Sequence, residues 1–389
     1  MAKYRTAVIA CGTIARVHAR GWLDIPDQPT EIGAIADTHP DARREYGDFF
    51  NVAPEHRYAD YREMLDKERP DFVDVCSWHA QHAEMTIAAA QYHPKAIQVQ
   101  KPMALNLAQA DAMLTACQRN NVKLVVAFQR PHHSTWLKAR DLIKQGVIGD
   151  PIHIVLDCGG NILNTNSHNI ALALFLLGNP RAEWVMGAVE RTTEHMERGQ
   201  PCEDRSLGLV GLANGCLLHI QGELSVRKDL GQGARVIGTE GIMELGTGRP
   251  PNAELRSDGD MYQPEGSSAK YNDEFGWVRY MNSSSSGWQN VEAPWHDAWA
   301  HMAQETIDWA EGKISDPISS GPKGRVVMEI MMALFESARR RQRIELPLKT
   351  KLNPLALMVE SGELPVEWPG AYEVRARLVR GEKMSWHDS

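Results

Sequence analysis

Cysteine, basic clusters and long apolar runs are what this 389-residue sequence has little of or lacks. Its six cysteines, at positions 11, 76, 117, 158, 202 and 216, show no CxxC spacing, which favours free thiols over a disulfide framework. Lys and Arg number 42 against 50 Asp and Glu, a net charge of −8 without a basic block, so neither nucleic acid nor an anionic membrane is an expected partner. No apolar run approaches the ~20 residues that span a bilayer. Because a strand is predicted from residue 4, we expect no signal peptide and a reduced, cytoplasmic protein.

Two of the three glycines of the usual dinucleotide-binding fingerprint are also missing, since Ala10 and Ala15 take their places. The remaining Gly12 follows an apolar run and precedes a helical pattern, as in a βαβ unit whose helix N-terminus receives a pyrophosphate. Asp37 ends a second apolar run 37 − 12 = 25 residues later, close to where an acid accepts the ribose hydroxyls. The alternative is an unrelated hairpin or buried strand pair. The segment predicted to bind the cofactor is Cys11, Gly12, Thr13 and Ile14.

Asp37 also bears on the choice of cofactor. A carboxylate repels the 2′-phosphate of NADP, so NAD is the expected cofactor and NADP the less favoured one. Thr38, Arg43 and Arg44 leave NADP open.

The order of strand and helix patterns predicts two domains and a tail. Strands are predicted at 4–10, 31–36, 72–77, 96–100 and 122–127, with helices between them that include 86–90 and 107–120. After residue 151 strands are predicted at 151–158, 183–190, 206–212, 216–224 and 234–238, a helix at 167–177, long loops at 247–290, and helices at 296–312 and 322–342. The fold class is α/β followed by α+β: a Rossmann-type parallel sheet with helices on both faces, then an open, mostly antiparallel sheet. The predicted boundaries are 1–130 for NAD binding, 131–350 for the second, substrate-binding domain, and 351–389 for a tail packing on the domains.

Polar residues follow the predicted parallel strands, at the carboxyl edge where such sheets bind ligands. Lys101 is the most informative, because a lysine that ends a buried strand and precedes a proline is an unusual structural choice. In a cleft beside a dinucleotide it can donate to a substrate hydroxyl; the alternative is a lysine that touches only phosphate. The residues expected at this edge are Ser77, Trp78, His79, His82, Gln100, Lys101 and Gln129.

These features together resemble the Gfo/Idh/MocA family, which includes glucose–fructose oxidoreductase and inositol 2-dehydrogenase. The resemblance rests on Gly12, Asp37, His82 and above all the Lys101–Pro102 pair, and it extends from residue 4 to Pro347. Residues 142–151 resemble the family's crossover into its second domain, and residues 238–245 a common pair of strands. The family carries Glu where Gln100 stands. It implies a Rossmann domain followed by an open sheet often used for dimer or tetramer contacts.

A second signature of the family is an acid followed four residues later by a histidine. His168 matches that histidine, Asn164 stands where the acid is expected, and Ala171 replaces a second frequent Asp. If both residues lie on one helix, positions i and i+4 share a face, and Asn164 and His168 point at one substrate carbon. Histidine suits general-base work, whereas asparagine only positions a hydroxyl. A structural role for His168 is the alternative.

The resemblance implies an NAD-dependent oxidoreductase that acts on a sugar, polyol, inositol or glycoside. Lys101 would polarise the oxygen, His168 exchange its proton, and Asn164 hold a neighbouring hydroxyl, with Arg130, His132 and Asn161 as further substrate contacts. An NAD-dependent glycosidase working through a transient 3-keto sugar, and a ligand sensor without chemistry, are the two alternatives.

Two other groups of residues are given lesser roles. The histidines at 79, 82, 132, 133 and 168 could form a metal cluster, but their spacing matches no standard ligand pattern and no metal is expected. Residues 203–205 are expected to form a solvated, charged turn.

Overall fold

The structure is a computed structural model, and it describes residues 3–27, 29–157, 160–222, 233–247 and 276–367. Within those ranges no helix combines the length and the apolar character needed to cross a membrane. The chain divides into two units, residues 1–129 with 297–325 and residues 130–296 with 326–389, called here the first and the second unit.

The elements are numbered in chain order. The strands are β1 (Tyr4–Ile9), β2 (Thr30–Ala36), β3 (Arg57–Tyr58), β4 (Phe72–Val75), β5 (Ala96–Val99), β6 (Lys123–Val126), β7 (Pro151–Asp157), β8 (Ala182–Glu190), β9 (Met196–Glu197), β10 (Gln200–Pro201), β11 (Arg205–Leu212), β12 (Leu217–Gly222), β13 (Gly233–Gly238), β14 (Gly241–Thr247), β15 (Gly276–Asn282), β16 (Gln289–Asn290) and β17 (Ile344–Glu345). The helices are α1 (Thr13–Leu23), α2 (Pro40–Phe49), α3 (Tyr61–Glu68), α4 (His82–Ala90), α5 (Leu107–Arg119), α6 (Ser134–Lys144), α7 (Ser167–Leu176), α8 (Ala298–Ala310), α9 (Gly321–Arg340) and α10 (Pro354–Glu360).

The first unit is built on a parallel sheet of six strands in the order β3-β2-β1-β4-β5-β6. Its central strands β4 and β5 are fully buried and mostly apolar, with Asp74 and Gln98 as the exceptions, as expected when helices cover both faces of a sheet. This confirms the predicted Rossmann-type architecture. The edge strand β3 was not predicted, because two residues are too short to show a strand pattern.

Helix α8 belongs to the first unit, whereas the sequence places residues 297–325 in the second domain. Trp299 and Met302 of this helix pack on Val125 and Ala127 of the first unit. A Cβ atom added to Gly21 of α1 would lie 2.7 Å from the Cβ of Trp299, so the glycine allows α1 and α8 to approach closely. Sequence order alone suggests the second domain, because the helix follows that domain's strands.

The second unit contains a nine-stranded sheet in the order β16-β15-β14-β13-β7-β12-β11-β8-β17. Among its described strands all pairs are antiparallel except β7 with β12. The mostly antiparallel sheet is therefore confirmed. Helix α7 is almost wholly buried and is apolar from Ile170 onwards. In the predicted tail, α10 ends at Glu360, and the chain continues to Glu367, whose N–H donates to the Thr192 carbonyl.

One predicted loop region is partly wrong. Strand β15 occupies Gly276–Asn282 and pairs along its length with β14, and β16 occupies Gln289–Asn290, although 247–290 was expected to be loop. The alternation in Trp277, Val278, Arg279, Tyr280 and Met281 is typical of a strand, but the surrounding Gly, Ser and Asn residues conceal it. Residues 248–275 lie outside the described part of the chain, as do Cys158, residues 223 and 224 of a predicted strand, and residues 368–389 of the predicted tail.

Candidate active site

The glycine turn after β1 has the geometry of an anion-binding site. Gly12 is the N-cap of α1 and, as a glycine, offers no side-chain cap to that helix N-terminus. A Cβ atom added to Gly12 would meet nothing within 4 Å, so the backbone is open to a ligand at this point. Ala10 adopts φ = 71°, the left-handed region that glycine enters without strain. The turn therefore keeps the fingerprint's conformation although the first glycine is replaced.

Asp37 is held beside this turn. One oxygen of its carboxylate accepts a hydrogen bond from the Cys11 backbone N–H at 2.8 Å, and the other accepts from the His39 N–H at 2.8 Å. Arg43 donates to the Asp37 carbonyl and Arg44 pairs with Asp41. The open helix N-terminus, the space at Gly12 and the fixed acid fit NAD, with pyrophosphate at the turn and ribose hydroxyls at Asp37.

The other predicted cofactor residues of the first unit follow the carboxyl ends of their strands as expected. Ser77, Trp78 and His79 come after β4, and Gln129 after β6. His82 is fully buried, and its ring nitrogens lie 2.8 Å from the Pro102 carbonyl and 2.9 Å from the Ser77 carbonyl. This ring therefore links the loop after β4 to the loop after β5. Direct contact of these residues with a cofactor stays a prediction.

Lys101 ends a chain of hydrogen bonds that starts in the buried interior of the first unit. Its backbone N–H donates to Oε1 of Gln100, which fixes the amide so that Nε2 faces the His18 Nε2 atom at 3.1 Å. Because the amide nitrogen is a donor, the His18 Nε2 atom must accept, and the ring proton lies on Nδ1. Nδ1 then donates to Asp74 at 2.8 Å. Gln100 thus presents an N–H donor to the His18 ring, which a glutamate carboxylate would not.

Sequence reasoning missed His18 and Asp74. Asp74 is fully buried in β4 and also accepts from the Trp22 indole at 2.9 Å and the Gln98 amide at 3.2 Å. The signal that could have found it is a carboxylate inside the apolar strand Phe72–Val75, since buried acids need partners. Among the described residues, His18, Asp74 and Cys76 form the group whose spacing could hold a metal ion, but hydrogen bonds engage the histidine and the carboxylate.

In the second unit, Arg130 contacts the helix that carries His168. Arg130 and His132 lie on one 3₁₀ turn and are buried, and the Arg130 guanidinium donates to Oδ1 of Asn169 at 2.5 Å. The carbonyl of His132 accepts from the His296 ring at 2.7 Å. The structure therefore places this predicted substrate residue next to the residue that follows His168.

The helix around His168 differs from the prediction. Asn164 lies in a single π-helical turn, Ile162–Asn166, and α7 begins only at Ser167. The π turn runs directly into α7, so a shared face for Asn164 and His168 stays a prediction, with a wider turn between the two residues than an α-helix would give. Asn161 is the N-cap of the turn, and its Oδ1 accepts from the Asn164 N–H at 2.8 Å.

Two carboxyl groups that sequence reasoning did not assign anchor this turn. Glu197 of β9 accepts from Nδ2 of Asn161 at 2.5 Å and from Nδ2 of Asn164 at 2.6 Å. Glu203 accepts from the backbone N–H of Ile162 at 2.6 Å. Both acids come from the segment between β8 and β11, which in sequence shows only scattered polar residues.

The solvated turn expected at 203–205 is also wrong. Glu203 is 1% exposed, and Asp204 accepts from the N–H groups of Thr192 and Thr193 at 2.7 and 2.8 Å. Of the three residues only Arg205 is exposed to solvent. Burial raises the pKa of Glu203 to about 7, and the charge of Glu197 adds to this increase.

The raised pKa of Glu203 predicts how stability changes with pH. The folded protein binds the Glu203 proton more tightly than the unfolded chain does. Its contribution to stability is therefore complete below about pH 4.5 and is lost as the pH rises through about 7. At ~1.4 kcal/mol per pKa unit, the wild type should lose about 3 kcal/mol of unfolding free energy between about pH 5 and about pH 8 relative to Glu203→Gln. Urea unfolding across this range measures the difference. The exposed Glu194→Gln is the control, and parallel pH curves for wild type and Glu203→Gln would contradict the prediction.

Two family models match this chain. The oxidoreductase family, NAD-binding Rossmann fold, matches residues 4–128, and the oxidoreductase family, C-terminal alpha/beta domain, matches residues 157–346. Both belong to the group named Gfo/Idh/MocA, and together they match most of the chain.

Curated relatives and solved structures agree with this match. The chain is 35% identical over 149 residues to D-apiose dehydrogenase of Paraburkholderia graminis, covering 38% of each protein. It is 30% identical over 222 residues to myo-inositol 2-dehydrogenase of Thermotoga maritima, covering 53% of this chain and 61% of the relative. An inositol dehydrogenase homologue of Azotobacter vinelandii, solved with NADH and myo-inositol, shares the fold with a TM-score of 0.70 at 17% identity, over 88% of this chain and 98% of the other.

Proposed function

Because the chain belongs to the Gfo/Idh/MocA family of NAD-binding oxidoreductases, we propose that it is an NAD-dependent dehydrogenase of a sugar, polyol, inositol or related glycoside. The observation that carries the proposal is Lys101, placed at the carboxyl end of β5 with its backbone fixed through Gln100. The named relatives that act on inositol and apiose support the substrate class.

The proposed roles of the chain's residues follow from their chemistry. When bound, NAD supplies the acceptor for the hydride of the carbinol carbon. Lys101 donates a hydrogen bond to the carbinol oxygen and lowers the cost of removing its proton, and His168 accepts that proton. Arg130, His132, Asn161 and Asn164 are the proposed further substrate contacts of the second unit. Cys11 to Ile14, Asp37, Ser77 to His79, His82, Gln100 and Gln129 are the proposed cofactor residues.

A substrate panel tests this function. Purified protein with NAD is screened against sugars, polyols, inositols and aryl glycosides by the absorbance of NADH, and products are identified by mass spectrometry. We expect NADH and keto product in equal amounts from at least one compound. Release of the aglycone without net NADH would favour the glycosidase, and binding without turnover of any compound would favour the sensor.

Asp37 predicts the cofactor preference. Its carboxylate is fixed by two backbone N–H groups and repels a 2′-phosphate, so NAD should bind more tightly than NADP. Calorimetric titration of both cofactors measures the gap, and Asp37→Ser should narrow it without unfolding the half-buried site. NADP binding tenfold tighter than NAD, about 1.4 kcal/mol, would contradict the assignment.

We also propose that the chain self-associates through the open face of its second sheet and that it resides in the cytoplasm. Met186, Leu207, Leu209 and Leu217 of β8, β11 and β12 are exposed, and Leu209 lies opposite Met186 in the strand register. Monomers rarely expose a large apolar patch, and a second copy of the same face would cover it. Support for the cytoplasm comes from the five described cysteines, all free thiols.

Leu209→Lys tests the association. Because a lysine would be buried in the interface of each copy, we expect the variant to be at least about tenfold weaker in association, a cost of ~1.4 kcal/mol. Sedimentation equilibrium of wild type and variant measures this change. A wild type that stays monomeric at high concentration would refute the interface.

A further inference from the structure

Two asparagine amides and one carboxylate form a hydrogen-bonded group beside His168. The Glu197 oxygens accept from Asn161 at 2.5 Å and from Asn164 at 2.6 Å. Arg198 donates to Oδ1 of Asn164 at 3.2 Å and lies 4.0 Å from Glu197. The Glu197 side chain is largely buried, at 14% exposure, so its charge is only partly screened by solvent.

The orientation of both amides follows from their other bonds. Oδ1 of Asn161 accepts from the Asn164 N–H, so Nδ2 of Asn161 must face Glu197. Oδ1 of Asn164 accepts from Arg198, so its Nδ2 must face the other carboxylate oxygen. Residue 197 must therefore accept at both of its terminal atoms, which a carboxylate does and a glutamine, with one terminal NH2 donor, does not.

This group is connected to the helix of His168. The Ser167 hydroxyl donates to the Asn164 carbonyl at 3.0 Å, and Ser167 is the first residue of α7. His168 is the second residue of that helix. The position of the π turn, and with it the start of α7, therefore depends on the contacts that Glu197 makes.

We propose that Glu197 is a positioning residue of this site and carries the negative charge that the family pattern places at position 164. The proposal rests on the proposed dehydrogenase function. Glu197 fixes the orientation of both amides, and oriented amides suit the recognition of the hydroxyl groups of a polyol or sugar. Asn164 is then an asparagine because an aspartate there would set two carboxylates 2.6 Å apart.

A charge-swap cycle tests the assignment. Asn164→Asp alone places a second carboxylate against that of Glu197. Glu197→Gln alone places an NH2 group against an asparagine NH2 group, so that two donors face each other. In the double variant, Nε2 of residue 197 donates to the new carboxylate at 164, and Oε1 accepts from Asn161. We expect each single change to lower kcat/KM at least about tenfold, mainly through KM, and the double variant to recover to within about threefold of wild type. Urea unfolding should show the same order, and the exposed Glu194→Gln should match wild type.

The two readouts separate the ways in which the idea can fail. Additive effects of the two changes on unfolding would overturn the Glu197 group whatever the activity. If the effects of the two changes on the unfolding free energy are non-additive but their effects on kcat/KM are additive, the positioning role of Glu197 is overturned. If the wild type oxidises nothing in the panel while unfolding is coupled, the dehydrogenase function and the role that rests on it both fail, and the carboxylate's place in the fold stands.

Discussion

Lys101→Met should lower kcat by at least ~10²-fold, the low end of what a positioned acid or base contributes. Methionine keeps much of the side chain's length and removes the ammonium that would donate to the substrate oxygen. The backbone N–H of residue 101, not its side chain, bonds to Gln100, so the chain to His18 and Asp74 should survive the change. Steady-state kinetics on the best substrate of the panel measure the loss.

Binding of NAD serves as the internal check on this variant. Its dissociation constant, measured by calorimetry, should change little, because Gly12 and Asp37 are untouched. Lys67→Met removes an exposed lysine from α3 and is the matched control. Near-normal turnover by Lys101→Met would leave Lys101 a positioning role only and would require another proton donor.

His168→Ala should lower kcat/KM by about 10³-fold, within the range for a general base. His168 is 6% exposed on a buried helix, so the truncation leaves a small cavity that added imidazole can enter. We expect imidazole to restore part of the activity and the rising limb of the wild-type pH–rate profile to disappear. Loss of a purely structural histidine would produce neither the rescue by imidazole nor the change in the pH–rate profile.

The opposite result is equally informative. A variant with the wild-type pH profile and no response to imidazole would make His168 structural. The sensor function would then account better for a chain that keeps the cofactor fold.

The sequence predicts the fold well where hydrophobic patterning and topology agree. Strands β1, β2 and β4 to β6 were predicted within two residues of their bounds, because buried parallel strands are short apolar runs. Strand β15 was not predicted because its alternation is surrounded by loop-forming residues. The packing of α8 on the first unit was not predicted either, because contacts, not order along the chain, decide where a helix packs.

The candidate site was predictable only where a residue lies next to a recognised motif. Gly12, Asp37 and Lys101 are found this way. Glu197 and Glu203 are more than thirty residues from the turn that they anchor, and no local pattern links an acid to a distant backbone N–H. This has a practical consequence. From the sequence alone, Asn164→Asp restores the acid of the family pattern, whereas in the structure the new carboxylate would face the carboxylate of Glu197.

The bond between Gln100 and His18 also constrains how relatives of this chain can diverge. A substitution of Gln100 by glutamate would replace the N–H donor that faces the His18 Nε2 atom with a carboxylate oxygen, on a ring whose Nδ1 atom already faces the Asp74 carboxylate. Positions 18, 74 and 100 should therefore change together among homologues, with glutamine at 100 accompanied by histidine at 18 and aspartate at 74. A motif search that requires glutamate at position 100 would then reject family members that carry glutamine there together with histidine at 18 and aspartate at 74.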